Sequence, residues 1–261
     1  MTAIVLCGAL TMNGQARKTA KRPAAKARTT AAAKAKPKAV TPATPASDLP
    51  LFCLKGKVEK LTEKTFMWGY SEPVYDSNGY IDEQKSKKGL ELWSTTIYTF
   101  TEDGFLSGYE TIGSDGTKTD RNLITDAKGR LTKATYDEIL EGEEQIKAAM
   151  VIKRNAAGKA SSFIIRDNNN PSYELWSRGL TLRPDGRISK IANSSEYDNW
   201  NEIYSYDANG MLTKITYRNE AGTFVNNMKY DPARDARGNW LKCKKSGRDD
   251  EVIEREIEYY E

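Results

Sequence analysis

The sequence predicts an all-β fold, an antiparallel repeat sheet of successive β-hairpins preceded by a disordered basic linker. Three observations predict it. Turn-like clusters ending in glycine recur along the chain, aromatic and polar residues alternate beside them, and residues 17–50 contain almost no large apolar side chains. The turn glycines are 24–29 residues apart, a period typical of repeat architectures. They are Gly79, Gly104, Gly129, Gly158, Gly186, Gly210 and Gly238.

Residues 204–217, YSYDANGMLTKITY, show the repeat unit most clearly. Two tyrosines alternate with polar residues before the turn, as on a half-buried strand. Asp207 can bond backbone amides two residues on, and Gly210 can take the left-handed conformation that closes a type I turn with a bulge. After the turn, large side chains recur at spacings of three and two, at Leu212, Ile215 and Tyr217. This spacing indicates either a bulge or a strand with both faces partly covered.

Two segments need separate interpretation. Residues 137–150, DEILEGEEQIKAAM, have helical propensity, but the repeat brackets them, so a long charged hairpin is predicted, with a short helix as the alternative. The C-terminus, VIEREIEYYE, alternates apolar residues and glutamates and predicts a final strand. Its glutamate row is expected to discourage edge-to-edge aggregation.

The first fifty residues differ from the rest of the chain. Residues 1–16 are uncharged, mostly apolar and end in Gly-Gln-Ala, which predicts a signal peptide whose true start lies upstream of Met1. Residues 17–50 carry nine basic residues and one acid, Asp48. Such a segment buries too little apolar surface to offset its ordering entropy and is predicted to be disordered. A spacer is favoured over a nucleic-acid-binding tail, although anionic envelope polymers suit its charge.

Composition limits the chemistry available to the remaining domain, residues 51–261. The chain has no histidine, which excludes histidine-activated nucleophiles and His-containing zinc sites. Mean hydropathy is −0.69 and 38% of residues are hydrophobic, which favours a thin core. A non-enzymatic protein without a cofactor is therefore expected.

Aromatic residues and cysteines are the candidate functional side chains. Exposed aromatics can bind sugar rings or peptides, whereas cross-strand packing is the structural alternative. The tryptophans are Trp68, Trp93, Trp176, Trp200 and Trp240. Cys53 and Cys243 remain after signal removal, and an even count in an oxidising compartment suggests a disulfide. An open, elongated sheet would instead keep these two residues too far apart to pair, so the question stays open.

Two acidic motifs have ordinary structural explanations. Residues 76–82, DSNGYID, resemble the middle of an EF-hand loop but lack an acid at the first ligand position and have Lys85 where the bidentate glutamate belongs. A hairpin turn explains the same residues. A cluster of acids offers paired carboxylates for glycoside hydrolysis, but a solvated hairpin is favoured. Its members are Asp137, Glu138, Glu141, Glu143 and Glu144.

Residues 206–224, YDANGMLTKITYRNEAGTF, resemble the YD repeat of RHS-type bacterial cell-surface proteins, whose unit runs Tyr-Asp-x-x-Gly-x-Leu before a strand. DAKGRLTKATYD (126–137) is similar, and both ends of the domain resemble those of small secreted bacterial proteins with degenerate YD-like repeats and no assigned function. The resemblance covers residues 51–261. It implies an exported, all-β repeat surface involved in carbohydrate or envelope binding. About seven units leave no room for a toxin domain, so the shell and toxin roles are not carried over.

The function expected from the sequence is binding of an envelope glycan or protein through the sheet, in the periplasm or at the cell surface. The alternatives are a carboxylate-dependent glycan-processing enzyme and anionic-polymer binding through the basic segment. No transmembrane helix is expected, because the apolar N-terminal run is shorter than the roughly 20 residues that span a bilayer.

Overall fold

The fold is described from a computed structural model. The described residues are 47–70, 87–139, 145–195, 198–247 and 250–261. The chain divides into two units, Met1–Pro45 and Ala46–Glu261, and all described residues belong to the second. The predicted signal peptide, most of the predicted linker, the EF-hand-like motif and the turn at Gly79 lie outside the described residues.

One helical turn and fourteen strands make up the described fold. A 3-10 helix at Leu49–Phe52 comes first. The strands are β1 (Val58–Tyr70), β2 (Lys87–Phe100), β3 (Leu106–Gly113), β4 (Asn122–Thr125), β5 (Leu131–Ile139), β6 (Gln145–Arg154), β7 (Ala160–Asp167), β8 (Glu174–Leu182), β9 (Ile188–Ser195), β10 (Asn199–Tyr206), β11 (Leu212–Asn219), β12 (Gly222–Tyr230), β13 (Lys242–Ser246) and β14 (Glu251–Tyr259). None of the helices among these residues is long and apolar enough to cross a membrane.

All fourteen strands join one antiparallel sheet, in the order β3-β2-β1-β14-β13-β12-β11-β10-β9-β8-β7-β6-β5-β4. The predicted all-β fold of successive hairpins is confirmed. The segment with helical propensity forms the ends of β5 and β6, with residues 140–144 between them outside the description. The two strands follow the repeat, because pairing with neighbouring strands outweighs local propensity.

Glycine turns build one end of the sheet. Six of the seven predicted turn glycines are described, and their φ angles lie between 72° and 86°. Each donates its N–H to the carbonyl three residues earlier, as Gly210 does to Asp207 at 3.0 Å. Glycine takes positive φ at little cost, so it specifies the reversal. Because consecutive strands alternate in direction, all six turns lie at the same end, which we name the turn rim.

A bulge follows the turn and explains the spacing of large residues after it. Tyr206 pairs with Leu212 and Ser205 with Lys214, so Thr213 is the extra residue. The Thr213 hydroxyl donates to the Ser205 carbonyl at 3.1 Å. Equivalent bonds, from a hydroxyl to the carbonyl eight residues earlier, occur at Thr132, Ser161 and Ser189. At five of the six described turns the repeat unit therefore reads Gly-x-apolar-Ser/Thr, whereas Leu241 takes the last position after Gly238, and the bulge explanation is correct.

The sheet curves into a nearly closed barrel in which the first and last strands, β1 and β14, are hydrogen-bonded neighbours. Among the described strands, the two edges β3 and β4 share no backbone ladder. They meet through side chains along a line we name the seam. Leu123 of β4 lies beside Gly108 of β3, where a Cβ would stand 3.1 Å from its Cδ1. The Arg121 guanidinium lies 4.5 Å from the ring centre of Tyr109 and 5.5 Å from that of Tyr136.

The C-terminal strand lies inside the sheet, between β13 and β1, so the expected edge role of its glutamates is wrong. Three glutamates of β14 pair with lysines of the adjacent strands. The pairs are Glu254–Lys242 (2.7 Å), Glu256–Lys64 (2.6 Å) and Glu258–Lys60 (2.5 Å). These ion pairs are exposed and define the outer face of the sheet. Long-range pairing of β1 with β14, invisible in a local pattern, removed the edge.

Residues 47–54, which we name the N-terminal plug, fill the interior at the turn rim. Leu49, Leu51, Phe52 and Leu54 are buried. The Phe52 ring packs edge-on against Tyr98 and Phe100, with distances between ring centres of 4.9 Å and 5.2 Å. Residues 47–50 belong to the segment predicted to be disordered, yet they are ordered here, because four apolar side chains so close in sequence bury enough surface to hold them.

Asp48 connects the plug to both sides of the seam. The carboxylate is 1% exposed. It accepts hydrogen bonds from the backbone N–H of Leu106 at 3.0 Å, from that of Ala160 at 3.3 Å, and from Arg154 Nη1 at 2.8 Å. Its own N–H donates to the Gly104 carbonyl at 2.9 Å. One buried side chain thus joins the β2–β3 hairpin to the β6–β7 hairpin.

Replacing Gly104 with alanine should destabilise the fold more than the same change at Gly116. The two glycines have nearly equal φ, +79° and +82°, so the backbone strain, about 1–2 kcal/mol, is matched. A Cβ at position 104 would lie 2.8 Å from Leu49 Cδ1, whereas none of the described atoms comes within 4 Å of one at position 116. Crowding at the plug should add about 1–3 kcal/mol. Denaturant unfolding of both variants measures the difference, and equal losses would contradict the plug contact.

Candidate functional site

The structure separates the predicted binding tryptophans instead of grouping them on one face. Trp200 and Trp240 are buried, Trp176 is half-buried, and Trp93 is 51% exposed. The side chain of Trp68 lies outside the description. Packing therefore accounts for the buried tryptophans, and Trp93 is the described tryptophan that faces solvent.

A bulge in β2 exposes Trp93. Thr65 of β1 pairs with Ser94 and Phe66 pairs with Leu92, so Trp93 is the extra residue between them. Phe66 follows Lys64 by two positions, and Lys64 forms an exposed ion pair, so Phe66 and Leu92 lie on the outer face. A bulge re-aims the side chain that it inserts. Trp93, Leu92 and Leu90, which we name the β2 patch, are all exposed large apolar residues.

The segment Glu-Leu-Trp-Ser occurs twice, at residues 91–94 and 174–177, and the second copy has its bulge one residue earlier. Ile165 pairs with Trp176 and Arg166 with Glu174, which leaves Leu175 as the extra residue. Trp176 stays in register and packs near the Arg178 guanidinium, 5.4 Å from its ring centre. The same four residues thus place their tryptophan differently, because one register shift decides which side chain turns outward.

Paired charges lie inside the sheet. Four acids are buried among the described residues, and each faces a cation. The pairs are Asp48–Arg154 (2.8 Å), Glu63–Arg255 (2.6 Å), Glu202–Arg178 (2.8 Å) and Glu251–Lys245 (3.0 Å). A buried carboxylate remains charged at acceptable cost only when a cation and hydrogen bonds compensate it. These pairs specify the core and leave no buried carboxylate of the described part unpaired.

Glu202 lies at the centre of the most extensive of these networks. Its Oε1 accepts from Arg178 at 2.8 Å, from Asn193 Nδ2 at 2.9 Å and from Trp200 Nε1 at 3.3 Å. Its Oε2 accepts from the Tyr204 hydroxyl at 2.6 Å. Burial, with the Glu202 charge beside it, raises the pKa of Tyr204 well above its ordinary value, so the phenol stays a donor.

The predicted acidic cluster shows no catalytic geometry in its described part. Asp137 is exposed, and its carboxylate lies 4.0 Å from Lys147 Nζ. Glu141, Glu143, Glu144 and the side chain of Glu138 lie outside the description. Elsewhere, ion pairs lower carboxyl pKa values, as at Asp126, where the hydrogen bond from Arg130 brings the pKa to about 2. A general acid would need the opposite shift. No group of metal-ligating side chains occurs among the described residues.

Both candidate disulfide cysteines are free thiols. Cys53 is half-buried in the plug, with φ +54°, and Cys243 is buried on β13. Burial raises the pKa of Cys243 to about 12, and burial likewise raises the pKa of Cys53. Neither thiol is a ready nucleophile near neutral pH, because the reactive form is the thiolate.

A cleft of about 100 Å³ lies at the turn rim, between the plug and the tips of three neighbouring hairpins. The β8–β9, β10–β11 and β12–β13 turns form three of its walls. Its chemically distinctive residues are Cys53, Lys55, Asp185, Arg187, Asn209 and Trp240. We name this site the rim cleft. None of these residues except the cysteine and the tryptophan was singled out from the sequence, although the basic residue after a turn glycine is a visible signal.

Comparison with known proteins finds no matching family model and no matching curated protein. Solved structures with some likeness include a porin-like protein from Bacteroides uniformis, 10% identical, with a TM-score of 0.43, covering 77% of this chain and 98% of that chain. A porin-like protein from Bacteroides vulgatus is 14% identical, with a TM-score of 0.40, covering 79% and 99%. A chain of the Photorhabdus luminescens Tc holotoxin pore is 14% identical, with a TM-score of 0.27, covering 69% of this chain and 12% of that one. Likenesses at this level assign neither a family nor a function.

Proposed function

We propose that this chain is a non-enzymatic binding protein of the bacterial cell envelope, which binds a partner protein through the β2 patch. The observation that carries the proposal is the bulge that turns Trp93 outward beside Leu90 and Leu92. Contiguous exposed apolar side chains are typical of protein interaction sites. Tryptophan is also enriched among the residues that dominate binding energy.

The chemistry of the patch favours a protein over a glycan as partner. Its three side chains carry a single polar atom, the indole nitrogen of Trp93. Sugar recognition needs hydrogen-bonding groups beside the aromatic platform, because a bound sugar's hydroxyls would otherwise lose their water partners. The neighbouring Lys64 is already paired with Glu256 at 2.6 Å.

A binding role also agrees with the state of the carboxylates. The four buried acids face cations, and the exposed Asp137 has a lysine beside it. The glycan-processing alternative needs one carboxyl group kept protonated and a second held opposite it. Export rests on the signal-like pattern of residues 1–16.

Binding to cell-envelope protein fractions should depend on Trp93. Immobilised full-length protein is expected to retain a defined partner, and Trp93→Ser should weaken that binding at least tenfold, since tryptophan hot spots contribute about 2 kcal/mol or more. Tyr173→Ser is the matched control, because Tyr173 is also an exposed aromatic, 42% exposed, but lies in the β7–β8 connection. Surface plasmon resonance with the purified partner measures each affinity.

Three results would contradict the proposal. Equal binding by the wild type and Trp93→Ser would remove the patch as the site. Trp93-dependent binding on a glycan array, without a protein partner, would change the partner class. Turnover of a glycan, abolished by one Asp or Glu substitution, would establish the enzymatic alternative.

Fractionation of the producing cells tests export, and intracellular protein that retains residues 1–16 would refute it.

A further inference from the structure

The rim cleft brings two cationic side chains to one small space. Lys55 follows the plug, and Asn239 holds its backbone on both sides. The Lys55 N–H donates to Asn239 Oδ1 at 2.8 Å, and Asn239 Nδ2 donates to the Lys55 carbonyl at 3.1 Å. The Lys55 ammonium lies over the β12–β13 turn, 3.9 Å from the position of a Cβ on Gly238. Lys55 is exposed, and its ammonium forms no ion pair within the described part of the chain.

Arg187 supplies the second cation from the β8–β9 turn, and its guanidinium reaches the β10–β11 turn. Its Nη1 lies 1.8 Å from where a Cβ would stand on Gly210, so the guanidinium occupies space that only glycine leaves open. Asp185 Oδ2 lies 3.5 Å from Arg187 Nη1 and also 3.5 Å from Arg183 Nε. Charge-assisted hydrogen bonds are normally about 2.7–2.9 Å, so this carboxylate is shared loosely between two arginines. Arg187 therefore keeps donors available for a ligand.

Trp240 lines the same cleft. Trp240 is 2% exposed, and its Nε1–H has no acceptor among the described residues. The ring itself is fixed, because the Arg255 guanidinium lies 3.5 Å from its centre and Tyr230 packs edge-on at 5.3 Å. A buried donor without an acceptor is unfavourable.

We infer that the rim cleft binds a small oxyanion, a carboxylate or phosphate group, held between Lys55 and Arg187. Its lining has two cations and one carboxylate, so the cleft carries a net positive charge, which favours an anionic ligand. The cleft volume of about 100 Å³ accommodates a carboxylate or phosphate group. A larger ligand would place only its acidic end there. The inference does not depend on the β2 patch.

Isothermal titration of the full-length chain tests the inference. Inorganic phosphate and acetate are titrated in separate arms, at constant ionic strength with chloride as the common background anion, which distinguishes the two sources of an oxyanion. Saturable binding of at least one is expected. Lys55→Gln and Arg187→Gln should each weaken it about tenfold or more, the loss of one charge-assisted hydrogen bond.

Arg130→Gln is the matched control. Arg130 also follows a turn glycine, and its Nη1 also lies close, 2.9 Å, to the Cβ position of the next turn glycine, Gly158. It pairs with Asp126 at 2.6 Å and does not line the cleft, so Arg130→Gln should bind as the wild type does. Thermal unfolding confirms that each variant is folded. If Lys55→Gln unfolds, Lys55→Arg replaces it, and if Arg187→Gln unfolds, Arg187→Lys replaces it. Weakened but measurable binding is expected of each replacement.

The inference is overturned if folded wild-type protein binds neither probe. It is also overturned if Lys55→Gln and Arg187→Gln bind as tightly as the wild type, or if Arg130→Gln loses as much affinity as they do. The last result would show that general positive charge at the turn rim, rather than the cleft, attracts the anion.

Discussion

Asp48→Ala is expected to lower the free energy of unfolding by about 3–5 kcal/mol, because it leaves a nearly buried arginine without its counter-charge. Arg154 is 10% exposed and lies 2.8 Å from the Asp48 carboxylate. The change also leaves the Leu106 and Ala160 amides without the acceptor they share. Asp48→Asn keeps the shape of the side chain, but its amide NH₂ group would face N–H donors that now bond the carboxylate. It should therefore be nearly as destabilising as Asp48→Ala. Denaturant unfolding measures both losses.

Asp126→Asn is the control for Asp48. Asp126 also accepts from an arginine and from backbone amides, but its side chain is 26% exposed, against 2% for Asp48, so its loss should cost much less. Hydrogen exchange adds a local readout. Exchange of the two variants is compared at denaturant concentrations that give them the same free energy of unfolding. Under those conditions the amides of Leu106 and Ala160 should exchange faster in Asp48→Asn than in Asp126→Asn. Unchanged stability and exchange in Asp48→Asn would refute the role of Asp48 as a clamp across the seam.

Glu202→Leu is expected to cost a similar amount, about 3–5 kcal/mol, because Arg178 would remain buried without its partner. Arg178→Met should be comparably destabilising, since Glu202 would then be the unpaired charge. The double variant removes both charges and should lose far less than the sum of the single losses. Chemical denaturation of the four proteins forms a double-mutant cycle that measures this coupling.

Additive losses in the cycle would contradict coupling between Glu202 and Arg178. The exposed Lys242–Glu254 pair serves as the control cycle, because its side chains are 52% and 40% accessible and solvent screens their interaction.

Tyr204 is a second probe of the network. Its phenol should resist ionisation at high pH in the wild type, because its pKa is raised well above the ordinary value, and should ionise more readily once Glu202 is replaced.

Much of the repeat unit could be predicted locally. Asp207 and Gly210 specify their turn through interactions within five residues, so the pattern identifies them without knowledge of distant contacts. The bulge was one of two explanations because the decisive bond, from Thr213 to Ser205, crosses between strands. The matching Ser or Thr after other turns was a signal that sequence reasoning overlooked.

The buried charges could not be predicted, because a charged residue in a predicted strand is normally assigned to the face of the sheet that contacts solvent. Glu202 and Arg178 stand 24 positions apart, and only strand pairing brings them to the same interior layer. Asp48 was assigned to a disordered linker because its neighbours on the N-terminal side are basic and small. Its environment comes from residues 58 to 112 positions away, which no local composition reveals.

The sequence by itself determined the β-hairpin unit, its glycine turns and its period, because backbone conformation at a turn is a property of a few adjacent residues. Only the tertiary structure decided that β1 pairs with β14, that the plug enters the turn rim, and that Trp93 faces outward while Trp240 is buried. Those outcomes depend on which surfaces meet after the sheet curves. A register shift of one residue in β2 changes the face of a side chain, and contacts between distant strands select that register.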